Sequence, residues 1–344
     1  MFQSLSVAFA VLIISIIVLV KSADIILSTA SKLAKNFGIS EFIIGLTIVS
    51  LGTSIPELAT SIAASLAGDT GVVMGNIAGS NIANIGLILA IPLLFTKIKV
   101  RKREFDRMYM ALFTALVFVL FSTDKIISGA EAAILLLIFF LYMNGIFKIT
   151  KGVKAYGKYF VASIRSNKMS LLFGGYEKRR KKRDGGKKKW DLETLKPSIG
   201  LLVGISLLAI SSKYTVTSAV DISSILEIPQ ATIAAILIAV GTSLPEFLVS
   251  IRGIKKGYKG MVFGNIVGSN IFNILAVGGI AGLIGPIAIS NITLRFILPA
   301  MLFFSLVLFV LLKRKLELKK ADGIILLLLY AVFVIFLLKI SFAA

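Results

Sequence analysis

The stretch that decides the fold is Gly52-Thr53-Ser54-Ile55-Pro56-Glu57, and it returns as Gly241-Thr242-Ser243-Leu244-Pro245-Glu246. Each copy lies within an apolar run long enough to cross a bilayer, which takes about 20 residues. A charged side chain at mid-membrane costs roughly 2.5–3.5 kcal/mol on insertion scales, so two glutamates at matched positions indicate a functional site. We therefore predict that Glu57 and Glu246 face each other and hold a cation.

Composition places the chain among polytopic helical membrane proteins. Its 344 residues are 57% hydrophobic, with a mean hydropathy of +0.94, whereas soluble domains are about half apolar. The absence of cysteine and histidine excludes disulfides, thiolate sites and imidazole ligands. The net charge of +21 is concentrated in alternate loops, which indicates the positive-inside bias and argues against nucleic-acid binding.

The apolar runs predict an all-α membrane protein with ten transmembrane helices, at about 4–33, 40–66, 72–95, 104–122, 128–149, 197–223, 230–252, 261–284, 292–312 and 322–341. They divide the chain into residues 1–150, a basic linker at 151–196, and residues 197–344. Lysine and arginine cluster in the loops that follow odd-numbered segments. This bias predicts a multi-pass protein of the cell membrane with both termini outside and the linker cytoplasmic.

The two halves form an internal repeat. Shifting residues 52–86 by 189 positions onto 241–275 gives 19 identities in 35 without a gap. Because each half has five helices, which is an odd number, the second copy must enter the membrane from the opposite side. The sequence therefore predicts two inverted-topology five-helix repeats, an architecture of many secondary transporters with a binding site near the midplane.

The prolines predict that helices 2 and 7 are interrupted. Pro56 and Pro245 have no amide hydrogen and leave the carbonyl four residues back unbonded, so each span should break near Thr53 or Thr242. Carbonyls at such a break, with the hydroxyls of Ser54 and Ser243 and the two carboxylates, would form an all-oxygen cage. Such a cage suits Ca²⁺ better than Mg²⁺, which requires a stricter octahedron, or Zn²⁺ and copper, which prefer nitrogen and sulfur.

A second motif runs from Gly75 to Asn84 and returns at Gly264 to Asn273. Its glycines have the spacing that lets helices approach closely. Ser80 and Asn84 are four residues apart and share a helix face, as do Ser269 and Asn273, so these side chains are predicted to line the site. Asn76, Asn81, Asn265 and Asn270 fit either ligation or interhelical hydrogen bonding. Elsewhere, Asp24 is spaced to pair with Lys21 on the first helix.

Together the paired motifs G-T-S-[IL]-P-E and G-N-I-[AV]-G-S-N-I-[AF]-N resemble the alpha repeats of the sodium/calcium exchangers, in the calcium/cation antiporter superfamily. The resemblance implies that helices 1 and 6 slide against the remaining eight. It implies that Glu57 and Glu246 are the central calcium ligands and that Thr53 and Thr242 contribute carbonyls. Flanking sodium sites would involve Ser54, Ser243, Ser80 and Ser269, and the middle site would be lined by Asn84 and Asn273.

The function that the resemblance implies is exchange of Ca²⁺ for Na⁺ by a monomeric transporter, not an enzyme, with no permanently bound cofactor. Several family members carry aspartate at the position of Asn273, whereas this chain has asparagine in both repeats. Its site therefore has a formal charge of −2, which one Ca²⁺, two Na⁺ or two protons would balance. The hydroxyl-rich flanks favour Na⁺. Proton/calcium exchange, potassium-dependent exchange, a cation channel and a lipid-binding membrane protein are the alternatives.

Overall fold

The computed structural model describes residues 4–148, 192–225 and 242–343. The helices are α1 (Leu5–Phe37), α2 (Glu41–Thr53), α3 (Ile55–Leu66), α4 (Thr70–Leu93), α5 (Lys102–Phe105), α6 (Met108–Phe121), α7 (Gly129–Lys148), α8 (Leu192–Ile225), α9 (Leu244–Lys255), α10 (Lys259–Ile284), α11 (Thr293–Lys315) and α12 (Lys320–Ala343). The strands are β1 (Ile98–Lys99), β2 (Ile126–Ile127), β3 (Ile287–Ala288) and β4 (Glu317–Leu318).

Seven helices in the described part of the chain are long and apolar enough to cross a membrane, and α2 with α3 forms an eighth candidate bent by 44°. Each of these eight overlaps a predicted span. The predicted span at 104–122 is shorter, because α6 has only 14 residues and the basic residues before it form the separate turn α5. Residues 230–241 of the span predicted at 230–252 lie outside the described residues. The described remainder of this span contains the start of α9.

The basic linker predicted at 151–196 lies outside the described residues, except for its last five positions. Those five belong to α8, which begins at Leu192 and not at 197. Pro197 lies in the second turn of this helix.

Two short antiparallel ribbons join loops from different parts of the chain. β1 pairs with β4, so that Ile98 lies opposite Leu318. β2 pairs with β3, so that Ile127 lies opposite Ile287. Since β1 and β3 are 189 residues apart, each of these two matched strands pairs with a strand from the other half of the chain.

The centre of the molecule is formed by α4 and α10. Their most apolar windows are 78% and 89% buried inside the protein, against 17–33% for the other single-helix spans. Glycine makes this packing possible, because a Cβ on Gly264 would strike the carbonyl oxygen of Phe42, and one on Gly268 would lie 2.6 Å from Ser50 Oγ. The backbone of α10 thus lies directly against α2, as the glycine spacing predicted.

The long helices α1 and α8 pack along each other and against a separate apolar cluster. That cluster contains Leu19, Ile26, Leu27, Leu201 and Leu208, together with residues of α2 and α9 and Met261 at the start of α10. The opposite side of α1 exposes large aliphatic side chains such as Ile13, Ile14 and Ile17. An exposed apolar face of this kind fits a helix that borders lipid.

Candidate cation-binding site

A backbone break in the first half of the chain and a matching helix start in the second half position the site. α2 ends at Thr53, Ser54 leaves the helical conformation with φ −90° and ψ 12°, and α3 follows with Pro56 in its first turn. Ser243 has φ −87° and ψ 8° immediately before α9, whose first turn contains Pro245. The interruption predicted near Thr53 is therefore at the next residue. The matching dihedral angles show that the same motif folds in the same way twice.

The serines at these breaks reach across to the opposite glutamate. Ser54 Oγ donates a hydrogen bond to Glu246 Oε1 at 2.8 Å, and Ser243 Oγ donates to Glu57 Oε1 at 3.2 Å. Each serine lies three residues before the glutamate of its own half. The first turns of α3 and α9 therefore face each other, and the arrangement brings the two predicted carboxylates into one site.

The serines of the second motif complete this cluster in the same reciprocal way. Ser54 Oγ lies 3.0 Å from Ser269 Oγ, and Ser243 Oγ lies 3.1 Å from Ser80 Oγ. Ser269 Oγ also donates to Glu246 Oε1 at 3.2 Å. The hydroxyls and carboxylates thus form a continuous group of oxygen atoms between α3, α4, α9 and α10.

Asn84 and Asn273 begin matched π-helical segments, Asn84–Leu89 in α4 and Asn273–Val277 in α10. Such wide turns are frequent at functional sites. Asn84 Nδ2 donates to Asn270 Oδ1 at 2.9 Å, whereas neither side-chain polar atom of Asn273 has a partner within the described residues. Asn270 also bonds the Asn81 carbonyl, and Asn81 Nδ2 bonds a carbonyl of its own helix.

The site is sealed from solvent and has spare acceptors. Nine of the ten predicted site residues are at most 2% exposed, and Thr242 is half-buried. Four acceptor oxygens have no hydrogen-bond partner among the described residues, namely Glu57 Oε2, Glu246 Oε2, Asn84 Oδ1 and Asn273 Oδ1. Because buried polar atoms are nearly always paired, oxygens left free beside two carboxylates fit a hard cation.

The threonines of the two breaks face asparagines whose role the sequence left open. Thr53 Oγ1 donates to Asn265 Oδ1 at 3.2 Å, and Thr242 Oγ1 donates to Asn76 Oδ1 at 3.3 Å. Motif spacing alone does not distinguish a hydrogen bond to threonine from ligation of a cation, because it does not show the direction of the asparagine side chain.

Asp24 has different partners from the predicted Lys21. Its carboxylate accepts hydrogen bonds from Arg252 Nε and Nη2, and Lys256 Nζ lies 3.0 Å away. Arg252 and Lys256 lie at the end of α9, so the ion pairs connect α1 with the helix that contains Glu246. The local prediction was wrong because a neighbouring helix supplies a guanidinium group that binds with two nitrogens.

Comparison with known proteins identifies the family to which this chain belongs. The model of the family "Sodium/calcium exchanger protein" matches residues 7–148 and 196–339. The sodium/calcium exchanger MaX1 of Methanosarcina acetivorans is 34% identical over 98% of this chain and 100% of the relative. The putative antiporter CaxA of Alkalimonas amylolytica is 34% identical over 81% of this chain and 82% of the relative.

Solved structures agree with these sequence matches. A structure of the sodium-calcium exchanger NCX_Mj soaked with Na⁺ and Sr²⁺ has a TM-score of 0.79 and 25% identity, and it covers 96% of this chain and 98% of that one. The buried oxygen site within apolar helices and these matches define a multi-pass membrane ion exchanger. The chain belongs to the sodium/calcium exchanger family, which is a family of transporters and not of enzymes.

Proposed function

We propose that this protein exchanges Ca²⁺ for Na⁺ across the cell membrane by alternating access, with Glu57 and Glu246 as the central ligands. The observation that supports this most is the reciprocal pair of bonds from Ser54 to Glu246 and from Ser243 to Glu57. Each carboxylate uses one oxygen in its bond and keeps the other free. Two ionised glutamates balance one Ca²⁺ or two Na⁺, so the same site can carry either ion in turn.

The remaining site residues divide by chemistry. The carbonyls of Thr53 and Thr242 lie at the helix breaks and would extend the calcium cage. Four serine hydroxyls flank the carboxylates, those of Ser54, Ser80, Ser243 and Ser269. They would bind Na⁺, which prefers neutral oxygens beside a single charge. Asn84 and Asn273 would line the middle of the site with their free amide oxygens.

The proposed architecture is ten helices in two inverted five-helix repeats within one monomer. Residues 1–150 form the first half and residues 192–344 form the second. The residues between them form a cytoplasmic linker, and both termini lie outside. The matched breaks and the reciprocal serine contacts support this proposal, since a pseudo-twofold axis through the site would relate them.

The counter-ion test uses purified protein in liposomes. With Ca²⁺ outside and equal pH on both sides, an outward Na⁺ gradient should drive ⁴⁵Ca²⁺ uptake. Uptake that is absent under the Na⁺ gradient, yet present under a proton gradient, would instead assign proton/calcium exchange. That second candidate is favoured by the presence of only two carboxylates, which two protons neutralise as one Ca²⁺ does.

The first prediction concerns the two glutamates. Glu57→Gln or Glu246→Gln should lower Na⁺-driven Ca²⁺ uptake by at least 100-fold, because the site then has one negative charge for a divalent ion. Glu131→Gln is the matched control, because Glu131 bonds Ser128 at the start of α7 and lies outside the site. Wild-type uptake in either site variant, at equal protein per liposome, would refute the assignment.

A further inference from the structure

The threonine hydroxyls at the two helix breaks are bonded by asparagines from the opposite half of the chain. Asn265 on α10 accepts the bond from Thr53, and Asn76 on α4 accepts the bond from Thr242. Each asparagine is four residues before a site serine, Ser269 or Ser80, and therefore shares its helix face. Both asparagines are at most 1% exposed. The contacts are reciprocal, so each break is held by the other repeat.

Asn76 also contacts the helix turn that contains Glu57, the glutamate of its own half. Its Nδ2 donates to the backbone carbonyl of Glu57 and to Ser61 Oγ, both at 2.8 Å. Its side chain therefore joins the turn that presents Glu57 to the threonine at the opposite break. The Nδ2 of Asn265, in contrast, has no partner within the described residues, and its only side-chain bond described is the one from Thr53.

We propose that Asn76 and Asn265 are positioning residues for ion exchange, which hold Thr242 and Thr53 of the opposite repeat without contacting the ion. The inference rests on the proposed function. In each pair the asparagine Oδ1 accepts the threonine hydroxyl, which turns that oxygen to the threonine and not to the carboxylates. At the break the chain leaves regular helix geometry, so a side-chain bond fixes the peptide whose carbonyl would meet Ca²⁺.

Groups that orient metal ligands in this way typically change metal affinity by about 10- to 100-fold when they are removed. The Asn265–Thr53 pair gives the sharper test, because each partner can be removed separately. Thr53→Val keeps the side-chain volume and the backbone carbonyl and loses only the hydroxyl. Asn265→Ala removes the acceptor.

The experiment measures initial ⁴⁵Ca²⁺ uptake into Na⁺-loaded liposomes over a range of Ca²⁺ concentrations for the wild type, both single variants and the double variant. Each single change should raise the half-saturating Ca²⁺ concentration by about tenfold and change the maximal rate by no more than about twofold. The double variant should resemble Thr53→Val, because that change already removes the bond to Asn265 together with the longer contact between the Thr53 hydroxyl and the Ser50 carbonyl. Unchanged affinity in the single variants, or about a hundredfold rise in the double variant, would overturn the proposal.

The Asn76–Thr242 pair supplies a second test and a control. Asn76→Ala should raise the half-saturating concentration more than Asn265→Ala, because Asn76 also holds the Glu57 carbonyl. Thr242→Ser, which keeps a hydroxyl, should retain more affinity than Thr242→Val. Asn81→Ala is the matched control from the same helix, since the bond that Asn81 Nδ2 makes within the described residues is to the Ile77 carbonyl of its own helix. Affinity lost equally in Asn81→Ala would contradict a specific positioning role.

A merely structural role gives a different pattern, with a lower melting temperature and an unchanged half-saturating concentration. The two levels of inference also fail differently. A wild-type protein without Na⁺-driven uptake would reject the proposed function. A wild-type protein that transports while Asn265→Ala and Thr53→Val keep its calcium affinity would reject only the positioning role.

Discussion

At the scale of the residue, Ser54 and Ser243 connect the backbone to the chemistry. Each has a non-helical conformation immediately before a proline-containing turn, and its hydroxyl bonds the glutamate of the opposite half. A serine three residues before a glutamate could bond its own helix turn. Here the non-helical conformation directs the hydroxyl towards the other half of the chain, where it bonds the opposite glutamate.

Asn273 provides a prediction at this scale, because both of its side-chain polar atoms are unpaired within the described residues. A Ca²⁺-loaded site with two ionised glutamates is neutral. Asn273→Asp adds a charge of −1, so movement of the loaded site across the membrane becomes sensitive to voltage. Ca²⁺ uptake at potentials set with K⁺ and valinomycin should vary more steeply with voltage in this variant than in the wild type.

The matched control is Asn144→Asp. Asn144 is exposed on α7, and in the described part of the chain its side chain bonds a carbonyl of its own helix. The voltage dependence of this variant should therefore equal that of the wild type. An identical voltage dependence in Asn273→Asp and the wild type would show that position 273 lies away from the transported charge.

At the scale of the element, the ion pairs of Asp24 join α1 to the C-terminal end of α9. The side chains of Asp24, Arg252 and Lys256 are 21%, 31% and 34% exposed, which leaves the charges partly screened. Two-nitrogen contacts between arginine and a carboxylate are among the stronger polar contacts. The positions 189 residues from Asp24 and Arg252 are Lys213 and Ala63, and this pair of residues cannot form the matching ion pair.

Asp24→Asn should therefore lower the stability of the folded protein by about 1 kcal/mol, because it leaves two cations without their carboxylate. Thermal unfolding in detergent at low salt would measure the change. The control is Lys97→Gln, because Lys97 is 63% exposed and 3.7 Å from Glu317, and such surface pairs contribute about 0–1 kcal/mol. An equal effect of the two substitutions would show that the Asp24 contacts add no more than a surface pair.

At the scale of the whole molecule, two apolar clusters divide the described helices. The larger contains residues of α4, α6, α7, α10, α11 and α12, and the two β ribbons join the loops at the ends of these helices. The smaller cluster holds α1 and α8 against α2 and α9. Glu57 and Glu246 are in α3 and α9, the short helices that follow Ser54 and Ser243. The site lies between these two helices and the central helices α4 and α10.

Contacts across the site connect the two halves directly, so the linker is not required to hold them together. We predict that deletion of residues 170–190 leaves Na⁺-driven Ca²⁺ uptake within about twofold of the wild type. About 22 residues remain between Lys148 and Leu192, which can span roughly 75 Å when extended. Loss of uptake by a variant that is still inserted and monodisperse would assign the linker a part in transport.

The fold could be predicted from the sequence as far as local chemistry extends. Hydropathy indicates the spans, because lipid requires about 20 apolar residues for each helix. Proline indicates the break, because it cannot donate the helical hydrogen bond. The length of α6 was less well predicted, since the predicted span began at residue 104, among the charged residues that form the separate turn α5.

The sequence by itself determined the oxygen chemistry of the candidate site and the twofold repetition of its motifs, because both depend on residue type and spacing. Only the tertiary structure decided that Asp24 pairs with Arg252, that Asn265 faces Thr53, and that Asn273 is left unpaired. These contacts join residues about 200 positions apart, or depend on the absence of a neighbour. No local pattern encodes them, because they arise only when helices from the two halves pack together.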